Sequence, residues 1–163
     1  MLKRFTRNIL AATILACASL PAAGLSALAE TPKDTLVEAW QIDDIISLDP
    51  AEIFEFSAAE YQGQVYERLI GYDVKDVSKI LPGVAESWTV SDDGLTYTFK
   101  IRDGVKFHSG NPLTAQDAAW SLQRAVKLNL SPAFILGQFG LTAENVDQLV
   151  TTPDDRTLVF KTD

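Results

Sequence analysis

An alternating segment, residues 95–102, constrains the fold of this chain more than any other feature. Leu, Tyr, Phe and Ile occupy its odd positions, and Thr, Thr, Lys and Arg occupy its even positions. A period of two predicts a strand with one buried face. Asp93-Gly94 precedes the segment. Because glycine tolerates the positive φ of a tight turn, this pair predicts a hairpin with the strand that begins at Trp88.

Short helices and further strands are predicted along the rest of residues 30–163. The first part is expected to contain a buried strand at 35–42, a helix capped by Ser57 with apolar residues at Ala58, Tyr61, Val65 and Leu69 and closed by Gly71, and a polar loop at 74–78. In the second part, a turn at 103–104 is expected to lead into a short strand at 105–107. A helix with a capping box of Thr114 and Asp117 follows, and another helix starts at Ser131-Pro132. The last expected elements are strands at 145–151 and 157–161, joined by a hairpin loop at 153–156. This order of elements predicts an α/β chain.

The first 29 residues have the layout of a secretory signal peptide. A basic start is followed by an uncharged run of twelve residues, 9–20, and by Ala27-Leu28-Ala29 as a cleavage site. A membrane anchor is the alternative, but a spanning helix needs about 20 apolar residues. Cys17 follows a segment that superficially resembles a lipobox. The apolar run continues past Cys17, so we favour a discarded leader over a lipid anchor.

The charge of the remaining chain limits its partners. Cleavage after Ala29 would leave 134 residues with 11 basic and 22 acidic side chains, one His and no Cys. A net charge of −11 argues against nucleic acid and anionic membranes as partners. A disulfide framework and a zinc site of Cys and His ligands lack the residues they need. We predict no metal and no cofactor.

Residues that could carry catalysis are few. The sequence contains no phosphate-binding glycine loop and no H-E-x-x-H motif. A secreted hydrolase would have to use His108, or the carboxylate pairs Asp92-Asp93 and Asp154-Asp155. His108 lies between turn glycines, and both carboxylate pairs lie in turn-like segments, where Asp is common. We therefore expect His108 to be a loop residue and the chain not to be an enzyme.

One run of the sequence resembles a known family. Residues 81–124 read LPGVAESWTVSDDGLTYTFKIRDGVKFHSGNPLTAQDAAWSLQR. This run closely resembles the signature region of the family 5 extracellular solute-binding proteins, the peptide- and nickel-binding components of ABC importers. The earlier segments Leu48-Asp49-Pro50 and 65–69 agree with the family as well. Asn111 and Trp120 are mild departures from its pattern.

The resemblance implies a receptor of the type II periplasmic-binding-protein fold. Such a protein binds its solute in the periplasm between two lobes that close by a hinge, and delivers it to the membrane permease subunits of an ABC transporter. Members of the family are several times longer than 134 residues, so residues 30–163 are expected to be the N-terminal part of the solute-binding domain. They would form part of the first lobe with its small subdomain. Glu86 and Arg124, within the signature, are either an ion pair or unrelated surface charges.

Two segments are expected to line the solute cleft, because in this family the loop after the first strand and the segment after the signature helix approach the ligand. Here these are residues 46–56 and 132–134, and they place Ile53, Phe54, Phe56 and Phe134 as candidates for ligand binding. Ordinary core packing is the alternative for each. The solute is expected to be a peptide or a similar small molecule. A secreted hydrolase and a standalone, non-catalytic interaction module remain the alternative functions.

Overall fold

The computed structural model describes residues 31–162. The chain divides into two units, Met1–Ala39 and Trp40–Asp163, and the helices and strands of the described residues lie in the second. In chain order they are α1 (Phe56–Val65), β1 (Ile70–Tyr72), β2 (Ile80–Pro82), β3 (Ala85–Val90), β4 (Thr96–Ile101), α2 (Ala115–Leu128), α3 (Ala133–Gly137), α4 (Val146–Leu149), β5 (Val150–Asp154) and β6 (Thr157–Lys161). The signal peptide predicted for residues 1–29 lies outside the described residues.

A four-stranded antiparallel sheet with the order β3-β4-β6-β5 is the larger of the two sheets. The predicted hairpin is its first pair, with Trp88 opposite Phe99. Gly94 has a φ of 73° in the turn, and its N–H donates to the carbonyl oxygen of Ser91 at 2.9 Å. The predicted strand is confirmed as β4, but its burial alternates only at its end, where Ile101 is buried and Lys100 is exposed. Leu95, on the face predicted to be buried, is 47% exposed.

Helix α2 packs its small apolar residues against one face of this sheet. Ala115, Ala119 and Val126 of the helix belong to one buried cluster with Ile101 and Leu158 of the sheet. Alanine on the packed face lets the helix axis lie close to the strands, so the core is filled by the larger Ile and Leu side chains. The predicted helix is confirmed.

Both ends of α2 are fixed by local chemistry. The N–H of Thr114 donates to Oδ2 of Asp117 at 2.8 Å, and the Thr114 hydroxyl donates to the same oxygen at 2.7 Å. The predicted capping box is therefore present, with Asp in place of the longer Glu. At the other end, Asn129 adopts the left-handed conformation with a φ of 50°, which stops the helix.

A two-stranded sheet of β1 and β2 joins the larger sheet at Gly83. The Val84 N–H donates to the carbonyl oxygen of Arg68 at 2.8 Å, and the Ala85 N–H donates to that of Leu69 at 2.9 Å. A Cβ atom added to Gly83 would lie 2.2 Å from the Arg68 oxygen. The close approach of the two backbones therefore requires glycine at position 83.

The strand predicted at 35–42 is wrong. The described residues before Phe56 form no helix or strand, and Trp40 and Ile42 are 55% and 66% exposed. Extended apolar sequence becomes a strand only when a neighbouring strand accepts its hydrogen bonds. Residues 35–42 pair with no strand among the described residues.

The bounds of α1 also differ from the prediction. The helix begins after Glu55, and the Ser57 hydroxyl, predicted to cap it, donates to the Gln41 carbonyl at 3.0 Å. Its end is Val65, so Leu69 lies outside it and Gly71 lies within β1.

The C-terminal strands also differ from the sequence prediction. Residues 105–107 contribute only one bridge, between Lys106 and Pro112. The strand predicted from residue 145 begins at Val150, because the Asn145 side chain accepts the Thr142 N–H at 2.8 Å and starts the helical turn α4. Pro132 caps α3 and does not occupy its first position. Residues 155–156 form the hairpin turn, so Pro153 lies within the edge strand β5.

Gly83→Ala is expected to lower the free energy of unfolding by about 1–3 kcal/mol, because the new methyl group cannot fit beside the Arg68 carbonyl without a backbone shift. The midpoint of urea unfolding measures this change. Gly71→Ala is the matched control, since a Cβ atom at Gly71 meets nothing within 4 Å. Equal midpoints for the two variants would contradict the close-approach argument.

Candidate functional site

A tight turn at Asp49 shapes the loop in which three of the candidate residues lie. The Asp49 N–H donates to the Ser47 hydroxyl at 3.1 Å, and the Ala51 N–H donates to Oδ1 of Asp49 at 2.9 Å. These bonds turn Ala51 and Ile53 inward, where each is 4% exposed. Phe54, next in the chain, is left 56% exposed.

A bidentate ion pair ties this loop to α2. Nη1 and Nη2 of Arg124 donate to Oδ1 and Oδ2 of Asp49, at 2.8 Å and 2.5 Å. The guanidinium also lies 5.6 Å from the centroid of the Trp120 ring, one helical turn earlier on α2. A planar guanidinium can satisfy a carboxylate and stack on an aromatic ring at once. Arg124 is therefore held on two sides.

The ion pair changes the charge state of its own members. The hydrogen bond from Arg124, followed by that from the Ala51 amide, holds the pKa of Asp49 below its ordinary value of 3.8. The same hydrogen bond raises the pKa of Arg124. Both groups therefore stay charged over the whole neutral range.

The alternative of an ion pair between Glu86 and Arg124 is wrong. Glu86 instead accepts a hydrogen bond from Nη2 of Arg156 at 2.9 Å, and Nε of Arg156 donates to the Ile101 carbonyl at 3.0 Å. Glu86 lies on β3, next to β4, so its carboxylate meets the turn that leads into β6. The Asp49 partner of Arg124 was not predicted, although both residues lie in segments that resemble the family.

Two of the four candidate residues come into contact. The Phe54 and Phe134 rings meet edge to face, with centroids 5.0 Å apart and an interplanar angle of 82°. Phe134 is on α3 and is 51% exposed, so the pair presents about half of each ring to solvent. We call Phe54 and Phe134 the aromatic pair. Eighty residues of sequence separate its members, so the contact is a product of the fold.

The other two candidates occupy different environments. Ile53 is buried, in keeping with the core-packing alternative. Phe56 is 92% exposed at the first position of α1. An open cavity of about 460 Å³ lies elsewhere, between the end of α1 and β1, and its lining includes Arg68 and Arg102 but none of the four candidates.

The residues considered for hydrolysis serve the turns that contain them. The Ser91 hydroxyl and the Leu95 amide donate to Asp93 and lower its pKa. The Thr157 hydroxyl and the Arg156 amide do the same for Asp154. A general acid needs a raised pKa, so both shifts have the wrong direction for that role. His108 is exposed in a turn, as expected.

Residues 31–162 contain neither a metal site nor a membrane-spanning helix. Within that range no group of three or more His, Cys, Asp or Glu side chains could hold a metal ion. The helices described there are also too short or too polar to cross a bilayer.

The sequence matches a family model over residues 79–163, under the description bacterial extracellular solute-binding proteins, family 5 Middle. The chain belongs to the family 5 extracellular solute-binding proteins. The nickel-binding periplasmic protein of Escherichia coli K12 is 34% identical over 119 residues, which cover 73% of this chain and 20% of that protein. The di/tripeptide-binding protein 4 of Pseudomonas aeruginosa UCBPP-PA14 is 43% identical over 103 residues, which cover 54% of this chain and 19% of that protein.

A solved structure confirms the fold class. The murein tripeptide binding protein MppA of Escherichia coli superposes with a TM-score of 0.63 and 35% identity, over 72% of this chain and 25% of its own. The mixed α/β fold is therefore part of a periplasmic-binding-protein lobe. The chain spans only about a fifth to a quarter of these relatives. The family consists of binding proteins, in agreement with the expectation that catalysis is not its role.

Asp49→Asn is expected to lower the stability of the protein most at neutral pH. Because the folded-state pKa of Asp49 is depressed, its contribution is present above the ordinary value of 3.8 and is lost as the pH falls through the lower folded value. The difference in urea midpoint between the wild type and the variant should therefore shrink as the pH falls below 3.8. Urea titrations from neutral to acidic pH measure it. A difference that stays constant to the lowest pH would contradict the ion pair.

Proposed function

We propose that this chain captures a peptide, or a similar small solute with an apolar side chain, in the periplasm for an ABC importer. The aromatic pair carries this proposal, as one wall of the solute site. Phe56 is proposed as an outer contact, and Ile53 as a residue that supports the wall from the core. Residues 30–163 act as the N-terminal part of the solute-binding domain, and residues 1–29 as the cleaved export signal. The permease subunits of the importer are the proposed protein partners.

The exposure of the aromatic pair supports a binding role. Two phenylalanine rings that meet and still show about half of their surface to water form an apolar surface that a ligand can cover. Ligand sites consist mostly of such side chains with a few fixed polar groups. Both rings lie in the segments that the family resemblance associates with the cleft.

The chemistry of the aromatic pair favours an apolar ligand group. An edge-to-face pair offers ring faces and edges to a third ring or to an aliphatic chain. The Glu55 carboxylate beside Phe54 accepts the Phe54 N–H at 3.2 Å, and Asp49 is neutralised by Arg124. Covering the rings with an apolar side chain would gain about 25 cal/mol for each Å² removed from water. Peptide binders among the relatives, such as the di/tripeptide-binding protein 4 and MppA, agree with this class of solute.

Calorimetric titration of the purified protein with Ala-Phe-Ala, Ala-Asp-Ala and a nickel–histidine chelate tests the proposal. We expect Ala-Phe-Ala to bind most tightly. Phe54→Ala and Phe134→Ala should each raise its Kd about tenfold, which corresponds to about 1.4 kcal/mol. Phe107→Ala is the matched control, because Phe107 is also an exposed ring, 44% accessible, in a loop away from the aromatic pair.

Two results would overturn the proposal. One is the absence of binding for every peptide, and the other is an equal loss of affinity in the Phe107→Ala control. If only the nickel chelate binds tightly, the solute is a metal chelate and not a peptide.

His108→Ala is expected to leave peptide affinity unchanged, because His108 is an exposed turn residue. The same titration measures the affinity, and a peptide-cleavage assay by mass spectrometry accompanies it. Cleavage that the wild type performs and the variant does not would favour the secreted hydrolase.

A further inference from the structure

We infer that Asp49 and Arg124 are positioning residues of the solute site: their ion pair holds the loop that carries Phe54 beside the helix that leads to Phe134. This inference rests on the proposed function, and it adds two residues that do not touch the solute themselves. Asp49 precedes Phe54 by five residues, and Arg124 precedes Phe134 by ten. The pair thus connects the two chain segments whose ends meet in the aromatic pair.

Among the described residues, the loop has one hydrogen-bonded connection to the rest of its unit, through Arg124. Within the part of the chain that the structure describes, the hydrogen bonds of residues 45–55 stay among residues 42–59, with the exception of those from Arg124. Apolar contacts of Ala51 and Ile53 supply the remaining attachment. Apolar contacts are non-directional, whereas two parallel hydrogen bonds fix the position and the orientation of the carboxylate. The ion pair is therefore the directional contact between the loop and α2.

The two other ion pairs of the described residues join elements other than the loop and the aromatic pair. Lys127 and Asp147 join α2 to α4 at 2.7 Å, and both side chains are more exposed, at 44% and 59%. Arg156 and Glu86 join the turn after β5 to β3. Neither pair includes a residue of the loop or a residue within five positions of the aromatic pair. Asp147 on α4 thus provides a matched control, since its loss removes a partner of the same helix without freeing the loop.

Trp120 further restricts the position of the Arg124 guanidinium. The ring lies against the guanidinium and is itself 61% exposed, so it restricts the arginine without burying it. A lysine at position 124 could keep the charge but could neither form the bidentate contact nor stack in the same way. Arg124→Lys therefore removes the bidentate contact with Asp49 while keeping the positive charge at position 124.

The consequence for binding is preorganisation. When the loop is fixed in the free protein, the solute meets a ready-made ring surface and the ordering of Phe54 does not reduce its affinity. When the ion pair is broken, the loop must be ordered by the solute itself. The loss of solute affinity should then depend on Phe54, because without the Phe54 ring the position of the loop no longer affects the solute contact.

A double-mutant cycle on Ala-Phe-Ala binding tests the inference. Asp49→Asn and Arg124→Lys should each raise the Kd about tenfold, whereas Asp147→Asn should leave it unchanged. In a Phe54→Ala background, Asp49→Asn should cause little further loss, because the pair acts through that ring. Circular dichroism and a melting curve verify that each variant is folded at the assay temperature, and Arg124→Lys carries the test if Asp49→Asn does not fold.

A second measurement needs no ligand. The protein labelled with 4-fluorophenylalanine at its Phe positions gives a ¹⁹F NMR signal for Phe134, assigned by Phe134→Leu. Asp49→Asn should shift this signal in the same direction as Phe54→Leu does, and Asp147→Asn should not shift it. An unshifted Phe134 signal, or additive Kd losses in the cycle, would overturn the positioning role. Absence of peptide binding by the wild type, together with a shifted Phe134 signal, would refute the proposed solute and leave the positioning role standing.

Discussion

The packing of α2 on the four-stranded sheet is the contact on which the rest of the structure depends. Its alanines lie against Ile101 and Leu158, and the sheet has no other long helix over it among the described residues. The same helix carries Arg124 on a different face. The position of the loop with Phe54 is therefore set by a helix that is itself fixed by the core.

This arrangement separates stability from recognition. Buried aliphatic side chains, such as Val150 and Leu158, hold the layers together. The residues proposed to meet the solute are half-exposed aromatic rings on a loop and on a short helix. Substitutions on that surface can change what is bound while the core stays intact, as expected for a fold that carries its binding function on loops of a rigid frame. The relatives named above, which bind nickel or peptides, differ in solute within one fold.

Sequence reasoning succeeded where the information is local. The turn at Gly94 and the capping box of Thr114 depend on residues within a few positions of each other, and both were predicted. The strand at 35–42 failed because a strand depends on a neighbour that apolar content cannot reveal. The helical turn at Val146 was missed because one side chain, that of Asn145, outweighed the β-propensity of its neighbours. The partner of Arg124 is 75 residues away, and charge alone could not distinguish Asp49 from Glu86. The aromatic pair was anticipated as two separate residues, from the family resemblance, and its contact follows from the fold.

Pro153 in β5 has a consequence for how copies of this chain meet. Among the described residues β5 is an outer strand of the sheet, and an outer strand offers its free N–H and C=O groups to any extended segment that approaches. Proline has no N–H to offer, and the register of β5 against β6 shifts between Thr151 and Asp154. A further strand from another molecule would find an interrupted ladder there, so concentrated protein has less opportunity to aggregate along this edge.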